Sequence, residues 1–143
     1  MTARHIWTVI CSNSVIDKDT NNVSLFDVLE QIQLDMVVTP EDAVAVLPFP
    51  LNIFSLWSRE QPDNPTQVHA KDRVLSPSGQ ILFEGEYDID ISEYQRTRYK
   101  RRLFGLKVPE SGEYNLVTQF KASKRSTWRE VCRIPLQIEL KRK

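Results

Sequence analysis

The chain has 143 residues, two cysteines, and 19 basic against 19 acidic side chains, which leaves no net charge at pH 7. A chain of that length buries roughly two-thirds of the surface its unfolded form exposes, so a single domain over residues 1–143 needs neither metal nor disulfide to hold it together. The balanced charge excludes a net field steering the molecule toward nucleic acid or an anionic membrane, and any electrostatic preference must be local.

At the start, one basic residue, Arg4, precedes Ile6-Trp-Thr-Val-Ile-Cys-Ser12, an apolar stretch too interrupted and too short for the middle of a signal peptide. No run approaches the roughly 20 apolar residues of a membrane-spanning helix. The expected setting is the cytoplasm, with Cys11 and Cys132 as reduced thiols inside strand-like runs. His5 to Ser12 reads as the first strand. Asp17-Lys-Asp-Thr-Asn-Asn22 carries side chains that bond their own backbone and closes a hairpin onto a strand over Val23 to Leu34.

Thr39-Pro-Glu-Asp42 offers a capping hydroxyl, a proline at the first helical position and acids over the positive end. It predicts a short helix near residues 40–47, stopped by Pro48 and Pro50 and lying across an open end of the fold. Leu51 to Ser58 is apolar on both parities, as a central strand is. Val68 to Leu75 follows, then Ser76-Pro-Ser-Gly79, a type I turn with proline second and glycine fourth.

The clearest two-residue period spans Ile81 to Ile91. Ile81, Phe83, Tyr87, Ile89 and Ile91 share one face, and Glu84, Glu86, Asp88 and Asp90 the other. Tyr99 to Val108 comes next, where inward Phe104, Leu106 and Val108 would drag Lys100 and Arg102 inward too, so a bulge or frayed start is expected near Arg102. After a second proline–glycine turn over Val108 to Gly112, Tyr114, Leu116 and Phe120 give another inward face. In the last run Trp128, Cys132, Ile134, Leu136, Ile138 and Leu140 share a parity, and Pro135 places that strand at an edge or a bulge. Short alternating segments punctuated by turns, without repeats or a linker, define an all-β fold, an antiparallel β-sandwich of about eight strands.

Glu110-Ser-Gly-Glu-Tyr114 followed by Leu116 resembles the tyrosine corner of immunoglobulin-like and related Greek-key sandwiches, in which a tyrosine near a late strand bonds back to the chain. Leu116 stands where an antibody domain carries its second cysteine, so an immunoglobulin disulfide is ruled out. The run from Val15 to Ile32, the later Gly-Glu-Tyr114 and the closing Ile134-Pro-Leu-Gln-Ile138 resemble a family of small bacterial proteins grouped as a domain of unknown function. That resemblance implies a sandwich body behind an early hairpin, and no activity or cofactor.

Asp17, Asp19 and Asn21 alternate like the opening of a helical calcium loop, but the sixth and twelfth positions are Asn22 and Val28 instead of glycine and a bidentate acid. A calcium site gathered from several loops, with Asp63 or Asp88 added, is a weaker reading than a hairpin turn. His5 and His69 lack zinc-ligand spacing. No phosphate loop or nucleophile elbow occurs, and His69 and Asp72, three apart in a strand, point to opposite faces. No cofactor, metal or catalytic residue is assigned. Trp7, Trp57 and Trp128 are read as packing residues rather than a sugar platform.

The remaining signal is a charge asymmetry. Glu84, Glu86, Asp88, Asp90 and Glu93 are followed by Arg96, Arg98, Lys100, Arg101 and Arg102, with Tyr94 and Tyr99 interleaved. The favoured expectation is a hairpin in which acids face bases and the field cancels. If the two segments instead enter different sheets, Arg96, Arg98, Tyr99, Lys100, Arg101 and Arg102 form a basic stripe for phosphate or an acidic protein. Lys141-Arg-Lys143 reads as a solubilising tail. The leading functional reading is a non-catalytic module that binds another protein or another copy through its sheet edges. The alternatives are a small enzyme with a site dispersed over loops, and an anionic-ligand binder using residues 96–102.

Overall fold

The structure is a computed structural model and describes residues 3–36 and 45–142. One sheet contains β1 (Ala3–Ile16), β2 (Val23–Val28), β5 (Leu51–Arg59) and β8 (Arg96–Leu103), in the order β2-β1-β5-β8. The facing sheet contains β3 (Gln31–Met36), β6 (Thr66–Leu75), β7 (Ile81–Ile91), β10 (Gly112–Lys121) and β11 (Arg129–Arg142), in the order β3-β11-β10-β6-β7. A two-residue pairing of β4 (Ala45–Val46) with β9 (Lys107–Val108) completes an all-β sandwich. Among the described residues no helix is long and apolar enough to cross a membrane.

The turns form as their chemistry dictates. The carboxylate of Asp17 accepts the N–H groups of Asp19 and Thr20, and the Asp17 and Asn22 backbones close the β1–β2 hairpin. The N–H of Gly79 donates to the carbonyl of Ser76. The hydroxyl of Tyr114 donates back to the carbonyl of Glu110, the corner bond expected of that motif.

Five expectations need correction. Residues 40–44 of the expected helix lie outside the described residues, and Ala45 and Val46 are strand, paired with Val108 and Lys107. The Val23 to Leu34 strand breaks at Leu29–Glu30, so that β2 stays in the first sheet while β3 crosses to the second. There β3 runs parallel to β11, an exception in an otherwise antiparallel fold. The Tyr99 to Val108 strand breaks at Phe104–Gly105, past Arg102: Gly105 takes a φ of +67°, and this reversal lets Leu103, Leu106 and Val108 all pack inward although their parities differ. Phe104 is left exposed.

The fifth concerns the last strand. Pro135 sits in a central strand, but β3 joins β11 only from Gln137 onward, so β11 is locally an edge where the proline cannot donate. A shift in register opposite Thr118 and Gln119 reverses parity ahead of Cys132. Trp128 is thereby moved from the core to the outer face, where the ammonium groups of Lys71 and Lys121 lie 4.2 and 4.6 Å from its ring centroid.

Two apolar clusters fill the space between the sheets. One gathers Ile10, Leu51, Ile53, Val74, Tyr114, Leu116, Leu136 and Ile138; the other gathers Trp57, Val68, Ala70, Tyr87, Ile89, Ile91 and Phe120. A polar rung separates them. Thr8 pairs with Ser55 and Ser55 with Tyr99 in one sheet; Cys132 pairs with Thr118, Thr118 with Asp72 and Asp72 with Gly85 in the other.

Candidate functional site

The expected hairpin between the acidic and basic segments does not form. β7 pairs with β6 in one sheet, and β8 pairs with β5 in the other. The physical reason is the loop. Ser92 to Gln95 is long enough to carry the chain across the sandwich, and the Arg59 side chain ties that crossing down by donating to the carbonyls of Ile91 and Ser92.

The acids therefore find bases on β6. Glu84 bonds Arg73 at 3.0 Å and Lys71 at 3.3 Å, which holds its carboxyl below the usual range, and Asp88 bonds His69. The bases of β8 have neutral residues beside them instead. Arg96, Arg98, Lys100 and Arg102 alternate along the outer face opposite Ser58, Leu56, Phe54 and Asn52 of β5. Arg98 donates to the Asn21 side chain at 3.0 Å, so the tip of the first hairpin reaches back over this face. Lys100 lies 5.8 Å from the Phe54 ring and Arg102 lies 5.1 Å from Phe104. Among the described residues Arg4 and Arg96 have no ion pair; they flank Ser58 on one rung at the mouth of a cleft of about 500 Å³. The Ser58 hydroxyl is buried without a hydrogen-bond partner.

Tyr99 and Arg101, counted with the basic stripe in the sequence, turn inward. The Tyr99 ring stacks on Tyr87 with centroids 3.8 Å apart and planes 7° apart. Arg101 lies between the rings of Phe83 and Tyr99 and donates to the Tyr99 hydroxyl at 3.0 Å. Its place depends on Gly85, where a Cβ would come within 2.8 Å of the guanidinium carbon. A glycine inside an alternating strand signals such a close approach, and it was the one trace of this arrangement in the sequence.

Asp72 completes the interior cluster, 1% exposed. One carboxylate oxygen accepts the Thr118 hydroxyl at 2.8 Å and the Tyr87 hydroxyl at 3.4 Å; the other has no partner. Burial raises its pKa to about 6, against the opposing pull of Thr118, Arg101 and Tyr87. Burial, and then the charge of Asp72, push the Tyr87 phenol above its ordinary value. Asp72 shares parity with Val68, Ala70 and Val74, so its inward position was readable from the pattern.

The histidines stay apart. His5 bonds Thr8 at 2.6 Å and packs edge-on against Trp57 at 5.0 Å, because a bulge between His5 and Trp7 turns residues three apart to one face. Burial lowers the pKa of His5. His69 opens on a shallow cleft with Glu86, Asp88, Lys121 and Lys124, while the neighbouring Tyr87 hydroxyl points inside to Asp72. Among the described residues lining this cleft, none brings a hydroxyl to the His69–Asp88 pair. Cys11 lies buried on the outer side of β1 and Cys132 half-buried on the inner side of β11, neither in a disulfide.

Two facing sheets, open at β7 and β8 along one side, define an antiparallel β-sandwich domain without an assembled catalytic constellation among the described residues. No family model matches the sequence, and no curated protein does. Among solved structures, the crystal structure of the C-terminal domain of Wzt is similar, with a TM-score of 0.52 and 14% identity over 95% of this chain and 72% of its own. At that identity the likeness speaks to the fold alone.

Proposed function

We propose that the domain is a non-catalytic binding and assembly module that receives an acidic, extended protein segment along the free edge of β8. One observation carries this reading: the four outward cations of β8 project from an edge strand whose only described neighbour offers no acid, while the acids of β7 belong to the other sheet. An added strand would gain main-chain hydrogen bonds from the edge and charge complementarity from alternate side chains. The immunoglobulin-like connectivity, kinship with the bacterial family of small sandwich proteins and a cytoplasmic setting are parts of the same proposal.

The test is titration of a labelled peptide alternating glutamate and valine, followed by fluorescence anisotropy. Binding is expected, weakening between about 0.05 and 0.5 M salt as screening shortens, and falling away in Arg98→Glu with Lys100→Glu. Equal binding of a lysine–valine peptide would refute it. A second reading rests on the rung Arg4–Ser58–Arg96, whose two guanidiniums suit a small oxyanion. Titration calorimetry with inorganic phosphate tests it, and Arg96→Ala should abolish any heat.

A further inference from the structure

An acidic strand that fits β8 already exists in the molecule, on β7. Each is the outermost strand of its sheet, and the two free edges lie on the same side of the sandwich. Their heights match. Tyr87 stacks on Tyr99, and Gly85 backs the guanidinium of Arg101. Stepping one and three residues along each strand from Tyr87 and Tyr99, Glu86 is level with Lys100, Asp88 with Arg98, Glu84 with Arg102, and Asp90 with Arg96. Within one chain these acids and bases never meet, because they project from opposite outer faces of the sandwich.

We propose that two copies of the chain join side by side about a two-fold axis parallel to the strands, with β7 of each pairing antiparallel with β8 of the other. This rests on the edge-binding reading above and names its partner. The rotation brings the five-stranded sheet of one copy into the plane of the four-stranded sheet of the other. It carries the acidic outer face of β7 to the same side as the basic outer face of β8, and leaves every height unchanged. β7 and β8 run in opposite directions because the short Ser92–Gln95 loop joins them, so the new pairing is antiparallel. The strands of packed sheets cross at about 30°; the rotation reverses that tilt in the second copy and aligns the paired edges.

Glu84, Glu86 and Asp88 then each stand between two bases, and Asp90, opposite Gln67 on β6, gains one. Glu84 keeps its own Arg73 and Lys71 and gains the second copy's Arg102; Asp88 keeps His69 and gains the second copy's Arg98. At the far end Ile81 and Phe104, 46% and 65% exposed in one copy, come within a residue of level with each other across the interface. Both edges of both copies are used, so the contact closes on itself and yields a dimer rather than a fibre.

Sedimentation equilibrium of the full chain is expected to give a dimer, twice 16.7 kDa. Arg98→Glu with Lys100→Glu, and separately Glu86→Lys with Asp88→Lys, should each weaken self-association by about 100-fold or more, since like charges then meet at both edges. Circular dichroism checks that both variants keep the strand spectrum. Mixing the two variants should restore a one-to-one dimer, because the acidic centres of both edges of one variant then meet the basic centres of both edges of the other. The four substitutions placed in one chain should restore it as well. A dimer indifferent to these charges, or folded variants that fail to associate when mixed, would overturn the pairing. Because the second copy's β7 fills the β8 edge, the acidic peptide is expected to compete with dimerisation; a monomeric wild type that still takes the peptide overturns the self-pairing and leaves the edge reading standing, and a monomer that takes no peptide removes both.

Discussion

Replacing Asp72 with asparagine should change how the stability of the domain depends on pH. In the folded state the carboxyl is enclosed between the sheets with one oxygen unpartnered, and its pKa rises from 3.8 to about 6. The folded state therefore holds the Asp72 proton more tightly than the unfolded chain does. The stability that this proton confers is fully present below the unfolded pKa and is lost as pH rises through the folded one. Each tenfold gain in proton affinity corresponds to about 1.4 kcal/mol, so the wild type should lose about 2 kcal/mol between roughly pH 4.5 and pH 7.5 through this residue alone.

The asparagine side chain keeps an acceptor for the Thr118 hydroxyl and carries no charge to desolvate, so this residue's share of the slope vanishes. Other groups titrate nearby and must be separated. His5, with its pKa lowered by burial, contributes stability that is lost as pH falls below the ordinary histidine range, the opposite slope. Asp17, Glu84, Asp90 and Glu130 are held below the usual carboxylate range and act at lower pH still. The wild-type-minus-variant difference cancels them. Urea unfolding at half-unit pH steps, followed by tryptophan fluorescence, measures it. A difference that stays flat across the window would refute the placement of Asp72 in a dry layer between the sheets.

Gly85→Ala should destabilise by about 1–3 kcal/mol through overpacking, because its Cβ would press on the Arg101 guanidinium and the Phe83 ring. Chemical denaturation of the cycle with Arg101→Ala should show most of that cost relieved in the double variant. Tyr114→Phe removes the hydroxyl that closes the corner on Glu110 and should cost about 1 kcal/mol, read as a shift of the urea midpoint at constant slope. Trp128→Ala uncovers Lys71 and Lys121 and should cost about 1–2 kcal/mol, a loss that high salt does not abolish because part of it is apolar cover.

What the residues determined by themselves is the layered, extended-chain nature of the fold. Alternation from Phe83 to Ile91 placed Tyr87, Ile89 and Ile91 inside, although a bulge at Leu82 left Ile81 exposed; the Ser76–Gly79 and Asp17–Asn22 runs turned where their side chains require, and Tyr114 bonded back to Glu110. Those are local effects, set by the period of a strand and the chemistry of a turn. Partner choice between strands is not local. The same alternation that predicts β7 and β8 fits a hairpin or two separate sheets equally well, and only the packing of Tyr87 on Tyr99 and of Arg101 over Gly85 decided that they face each other across the core.

The register breaks followed the same rule. Parity counted through His5–Trp7, Glu130–Cys132 or Phe104–Gly105 fails, since one extra residue turns every later side chain to the other face, and nothing short of the assembled sheet fixes where that residue goes. The candidate site inherits this division: the sequence supplied the run of cations, while tertiary structure sent Arg96, Arg98, Lys100 and Arg102 outward, drew Tyr99 and Arg101 inward, and separated them from the acids that would have cancelled their charge.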